Sequence, residues 1–161
     1  MHPRIQELLD FIDLERTRLR AAVDVVPPHQ RGVSPGEGQW TVAGVLEHLC
    51  AVEKRIASLL RSKVIEARGA GASAETETSA ILPLLELDKI TDRTTRLKSP
   101  NPLQSSPNAN ADAAWSALME SRQDFRAAVL EADGVALGEL THPHLYFGPF
   151  TMYKWIGFIG A

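Results

Sequence analysis

The stretch TVAGVLEHLCAVEKRIASLLRSKVIEA, residues 41–67, constrains this chain more than any other. Val42, Val45, Leu46, Leu49, Val52, Ile56, Leu59 and Leu60 recur at three- and four-residue steps, the period of one buried helical face. No proline interrupts the run, and Thr41 stands where a capping hydroxyl is wanted. A helix of this length cannot bury its stripe alone, so the rest of the chain must supply partners.

Three other segments can do so. Ile5, Leu8, Leu9, Ile12, Leu19, Ala22, Val23 and Val26 form a first helix, opened by Pro3 and stopped by Pro27 and Pro28. A third helix starts near Asp112 and shows Trp115, Leu118, Met119, Arg122, Phe125 and Val129 on one face. It ends at Asp133-Gly134. A fourth is expected from Pro149, with Met152, Trp155, Ile156 and Ile159 turned inward. PPHQRGVSPGEGQ and VALGELTHPHLYFG read as loops, and GAGASAETETSA as a flexible link.

ILPLLELDKITDRTTRLKSPNPLQSSPNANAD carries apolar anchors but is broken by Pro83, Pro100, Pro102 and Pro107. It reads as a long strap with a helical turn, long enough for the second and third helices to run parallel. The alternation expected of strands is absent. The predicted fold is therefore all-α: a single-domain four-helix bundle over residues 1–161, with a long crossover between helices two and three.

Composition removes several functions. A chain of 161 residues with 44% hydrophobic content can hold one core without cross-links. The lone Cys50 forbids an internal disulfide and fits a reducing, cytoplasmic setting. A net charge of −3 offers no basic footprint, so nucleic acid is not an expected partner. No window approaches the roughly 20 apolar residues of a membrane span, and the N-terminus lacks a signal-peptide pattern. No membrane partner is expected.

Two residues of the long helix carry chemistry. With Leu49 at the centre of the stripe, His48 falls about 100° to one side, beside Thr41, Val52 and Leu59. It is either a boundary histidine hydrogen-bonded to a neighbouring helix, or a metal ligand needing further ligands from facing helices. Glu53 lies inside the stripe, where a carboxylate needs a partner or a raised pKa. The Trp115 indole and Arg122 are candidate partners. His142 and His144, two apart in the loop before helix four, could join His48 in a site only if that loop is extended and close. Otherwise His142-Pro143 anchors the loop. Cys50 is on another face, either a small buried side chain or a nucleophile. His2 and His29 read as exposed.

WTVAGVLEHLCAVE, ITDRTTRLKSPNP and HPHLYFGPFTMYKWIGFIGA, in this order and spacing, resemble the DinB-like (DinB/YfiT) superfamily over nearly the whole chain. The resemblance implies a four-helix bundle, often a homodimer, holding divalent zinc or nickel through three histidines. His48 matches the ligand of helix two. The other two, a His-x-x-x-His pair on helix four, follow the segment matched by Trp155 and Phe158. They would fall just beyond Ala161, so the metal site is expected to be incomplete within this sequence and the natural chain longer. A helix finishing at Gly160 is the alternative. Gly44 stands where the family often has an acidic residue, which removes a capping box. Known members imply a metal-dependent transferase that uses a small thiol such as bacillithiol or mycothiol. A helical interaction module without metal is the competing expectation.

Overall fold

The computed structural model describes residues 1–92, 94 and 110–161. Three long helices dominate: α1 (Pro3–Val25), α2 (Val42–Gly69) and α4 (Ala111–Glu131). A single turn, α3 (Asp88–Thr91), follows α2. Strands β1 (Thr141–His144) and β2 (Gly148–Thr151) precede a short α5 (Met152–Phe158). Pro100, Pro102 and Pro107 of the strap lie outside the described residues.

Each helix begins where its cap dictates. Thr41 Oγ1 accepts the Gly44 N–H at 2.9 Å, and Thr151 Oγ1 accepts that of Lys154 at 3.2 Å. A hydroxyl cap of this kind contributes about 1 kcal/mol. Asn110, not Asp112, caps α4, because its side chain takes the N–H groups of Asp112 and Ala113. Gly134 ends that helix with φ +80°, a left-handed conformation that favours glycine.

Helix directions follow from paired residues. Cys50 meets the Ala117 carbonyl, Glu53 meets Ser121, and Arg68 meets the Glu131 carbonyl, so α2 and α4 run parallel. The His2 amide donates to Asp133 and Arg16 lies against Met119, so α1 runs opposite to α4. Arg4 covers the Tyr153 ring and Phe11 lies against Gly160, so α5 runs alongside α1 in the same direction. The main core draws Leu8 and Ile12 from α1, Ile56 and Leu60 from α2, Phe125 and Val129 from α4, and Met152 and Ile156 from α5. A smaller cluster packs Val23, Leu46, Cys50, Ala114 and Leu118. Val45 departs from the predicted stripe and is exposed, because the buried arc of α2 centres on Leu46, Cys50, Ala57 and Leu60.

Two expectations need correction. The fold is predominantly helical but not all-α. His142 pairs with Phe150 and Pro143 with Pro149 in an antiparallel hairpin, and α5 starts at Met152, not Pro149. The hairpin escapes sequence reading because proline demotes a strand. Here the two prolines stand opposite each other, where neither has an N–H to give. Gly148 turns the chain with φ +77°. The second correction concerns GAGASAETETSA, which is tied down. Ala74 bridges Val135, and the Glu75 carboxylate accepts from Arg4 and from the Tyr153 hydroxyl. Arg4 also donates to Ser79 twice. Small polar residues gave no sign of these long-range partners.

Three charged side chains staple the long helices. Glu53 on α2 is 3% exposed, Arg16 on α1 8% and Arg122 on α4 7%, so all three charges are buried. Arg16 Nη2 donates to Glu53 Oε1 at 3.0 Å, and Arg122 donates to the same oxygen through Nε and Nη2. Ser121 Oγ donates to Glu53 Oε2 at 2.9 Å. Arg122 Nη1 reaches the Ile12 carbonyl of α1. The expected Arg122 partner is present, and Arg16 and Ser121 join it. Removing one member leaves an uncompensated buried charge, so Glu53→Gln is expected to lose about 3–5 kcal/mol in urea unfolding. The joint replacement of Arg16, Glu53 and Arg122 by Met, Leu and Met should recover most of that loss. A single Glu53→Gln loss below about 1 kcal/mol would show that the staple does not hold the helices.

Candidate functional site

His48 sits in the second turn of α2, fixed there by the Thr41 cap. The preceding loop is pinned as well: Arg31 is buried, donates to the Val26 carbonyl, and accepts the Ala43 N–H on its own carbonyl. This anchoring places Trp40 against the histidine, with ring centroids 4.9 Å apart and planes at 70°, an edge-on contact. Val52 and Leu59 share that side of α2 and pack partly buried onto the main core. The predicted edge position is therefore correct.

The imidazole is half-buried, and its Nδ1 is buried without a hydrogen-bond partner among the described residues. The hydrogen bond expected of an ordinary boundary histidine is missing at that atom. Burial first, and the nearby Arg55 charge second, lower the His48 pKa below its usual value. The ring is thus held neutral at neutral pH, the form in which imidazole binds a metal.

His142 and His144 stand on β1, two residues apart. The His142 carbonyl accepts from the Trp155 indole at 3.2 Å, which locks the hairpin onto α5. That is the loop-anchoring role considered for it. His144 is enclosed by rings: Phe150 at 4.8 Å, Phe147 at 5.0 Å, Trp155 at 5.2 Å and Phe158 at 5.3 Å. Its Nδ1 accepts the Tyr146 N–H, so a neutral ring carries its proton on Nε2. Cys50 is buried, and its thiol donates to the Ala117 carbonyl.

Among the described residues, no group of three or more His, Cys, Asp or Glu is arranged to hold a metal ion. His48 is therefore not joined by His142 and His144. His29 is exposed, whereas His2 is half-buried, its Nδ1 capping α1 and its Nε2 buried without a partner. Among the described residues, no helix is long and apolar enough to cross a membrane.

Residues 12–161 match the DinB superfamily, and the chain belongs to it. Among curated proteins, none matches this chain significantly. The solved crystal structure of TT2238, a four-helix bundle protein, is similar with a TM-score of 0.60 and 21% identity. The likeness covers 96% of this chain and 89% of that one, and it speaks to the fold alone.

Burial lowers the His144 pKa as it does that of His48. Protonation would also turn the Tyr146 acceptor into a donor. An unfolded histidine titrates near pH 6.5, so below that pH the unfolded chain binds more protons than the folded one. Stability is expected to be fully present above about pH 6.5 and to fall as the pH drops below it. Urea midpoints across this window should decline, and His144→Phe should flatten part of the decline. A midpoint that rises on acidification would contradict the burial argument.

Proposed function

We propose, on the premise of DinB-superfamily membership, that this chain is the scaffold of a metal-dependent enzyme in which His48 is one ligand of a divalent zinc or nickel ion. The observation that carries the reading is the neutral His48 imidazole with a buried, unpartnered Nδ1. A buried polar atom without a partner is unfavourable unless something else takes its lone pair or proton. The donor set fits in part only, since a single imidazole does not hold a divalent ion against water. In the family that the chain resembles, two further histidines on helix four complete the set. The parallel α2 and α4, with the strap as their crossover, support the four-helix architecture this requires.

A divalent ion at this place would stabilise a small thiol as its thiolate for attack on an electrophile. Residues of this chain would do the rest. Trp40 shields the imidazole and limits its rotation. Trp155 and the hairpin close the apolar wall beside α5.

A metal-free interaction module is the second reading. It is favoured by the want of any metal-holding group among the described residues. The Arg16–Glu53–Arg122 staple also sets the helix register without an ion.

Two measurements decide between them. The protein isolated from its native cell is expected to carry about one zinc or nickel per chain. His48→Ala should remove that metal while leaving the far-ultraviolet circular dichroism unchanged. Stoichiometric metal that survives His48→Ala, or a metal-free native protein, would overturn the enzyme in favour of the module.

A further inference from the structure

The staple is not neutral. Arg16 and Arg122 share the single carboxylate of Glu53, which leaves a net positive charge in the interior. Arg122 is satisfied at all three nitrogens, by Glu53 and the Ile12 carbonyl. Arg16 is not. Among the described residues its Nε is buried with no partner, and its Nη1 donates only to the Met119 thioether sulfur at 3.0 Å, a weak acceptor. The nearby carboxylates of α1 are engaged elsewhere, Glu15 by Arg18 and Asp13 by Arg126. Burial first and the neighbouring Arg122 second lower the pKa of the Arg16 guanidinium, which still remains charged at neutral pH.

This under-satisfied guanidinium lines an open groove between α1 and α4 with a volume of about 610 Å³. Thr17, Arg20, Asp24, Trp115 and Met119 line it too. Arg20 lies over the Trp115 ring at 4.9 Å, and Arg16 is 5.8 Å from the same ring. The one carboxylate of the lining, Asp24, is held by Arg20 at 2.7 Å and Arg31 at 3.4 Å. The groove therefore combines two guanidinium groups, one of them buried, with a flat indole wall.

We propose that this groove binds a small molecule that carries a carboxylate or phosphate on a flat apolar body. The oxyanion accepts from Arg16 Nη1 in place of the Met119 sulfur and supplies the negative charge that Glu53 alone does not. Met119 is 38% exposed and flexible, so its side chain can swing aside without backbone movement. The apolar body stacks on the Arg20 guanidinium that lies over Trp115, so Arg20 serves both the flat body and the charge match from the rim. The site is independent of the metal reading and uses none of its residues.

The test is calorimetric and NMR titration of the full chain with phenyl phosphate, benzoate and neutral benzamide. One of the two anions is expected to bind at a single site at least tenfold more tightly than benzamide, about the difference one charge-assisted contact makes. A preference for phenyl phosphate assigns the ligand as a phosphate, and a preference for benzoate assigns it as a carboxylate. The Arg16 guanidinium and Trp115 indole signals should shift while those of Trp40 and Trp155 stay. Arg20→Gln, a rim change that leaves the staple intact, should weaken the anion about tenfold. Equal binding of benzamide, unmoved Arg16 and Trp115 signals, or no anion binding at the highest soluble concentration would each overturn the proposal.

Discussion

One buried carboxylate sets the geometry of this protein. Glu53 Oε1 receives Arg16 from α1 and Arg122 from α4, and Glu53 Oε2 receives Ser121. Taking three charges out of water is expensive, and their mutual attraction repays the cost only where the hydrogen bonds are well made. Hydrophobic stripes alone allow neighbouring helices to slide by a turn at modest penalty. A charge that must find its counter-charge does not. The staple therefore fixes which residue of α1 faces which residue of α2 and α4. The surface clamps, such as Arg61 with Asp124 and Glu131, add little to this because water screens them.

The register has consequences on the opposite side of α2. Once Glu53 points inward between α1 and α4, His48 is carried to the edge that Val52 and Leu59 extend towards the main core. The α5 residues Met152, Tyr153 and Ile156 join the same core, held by close packing. A Cβ added at Gly157 would stand 2.8 Å from Leu85, and one at Gly160 would stand 2.5 Å from Phe11. These glycines are the small residues that let α5 approach its neighbours. Val52 and Leu59, on the His48 side of α2, pack onto the same core that α5 joins.

The same charges show how far sequence reading reached. Helical periods located the three long helices to within about two residues, and Thr41 as the cap of α2, while the caps of α1 and α4 proved to be His2 and Asn110. Glu53 was visible as a carboxylate in an apolar stripe, and Arg122 as its partner. Arg16 was missed: it fills the gap between Ile12 and Leu19 in the stripe of α1, where a long arginine usually passes for a solvated one. The hairpin was hidden by its prolines, and the bound course of residues 70–80 by their small polar composition. The hairpin is local, but the course of residues 70–80 depends on partners more than 50 residues away, such as Glu75 with Tyr153, 78 residues apart. The edge position of His48 follows from the period, but its unpartnered Nδ1 depends on what neighbouring segments fail to offer. The groove under Trp115 needed coordinates, since it arises from which donors of Arg16 are left over.

The claim on which the rest turns is that His48 is a metal ligand in the register set by Glu53. Anomalous diffraction at the zinc and nickel edges, from crystals of the protein isolated from its native cell, tests it most directly. The account predicts a peak about 2.0–2.1 Å from a His48 imidazole nitrogen, with Trp40 still edge-on to the ring. A fully occupied metal elsewhere, or an imidazole whose Nδ1 is hydrogen-bonded to protein with no ion beside it, would contradict it.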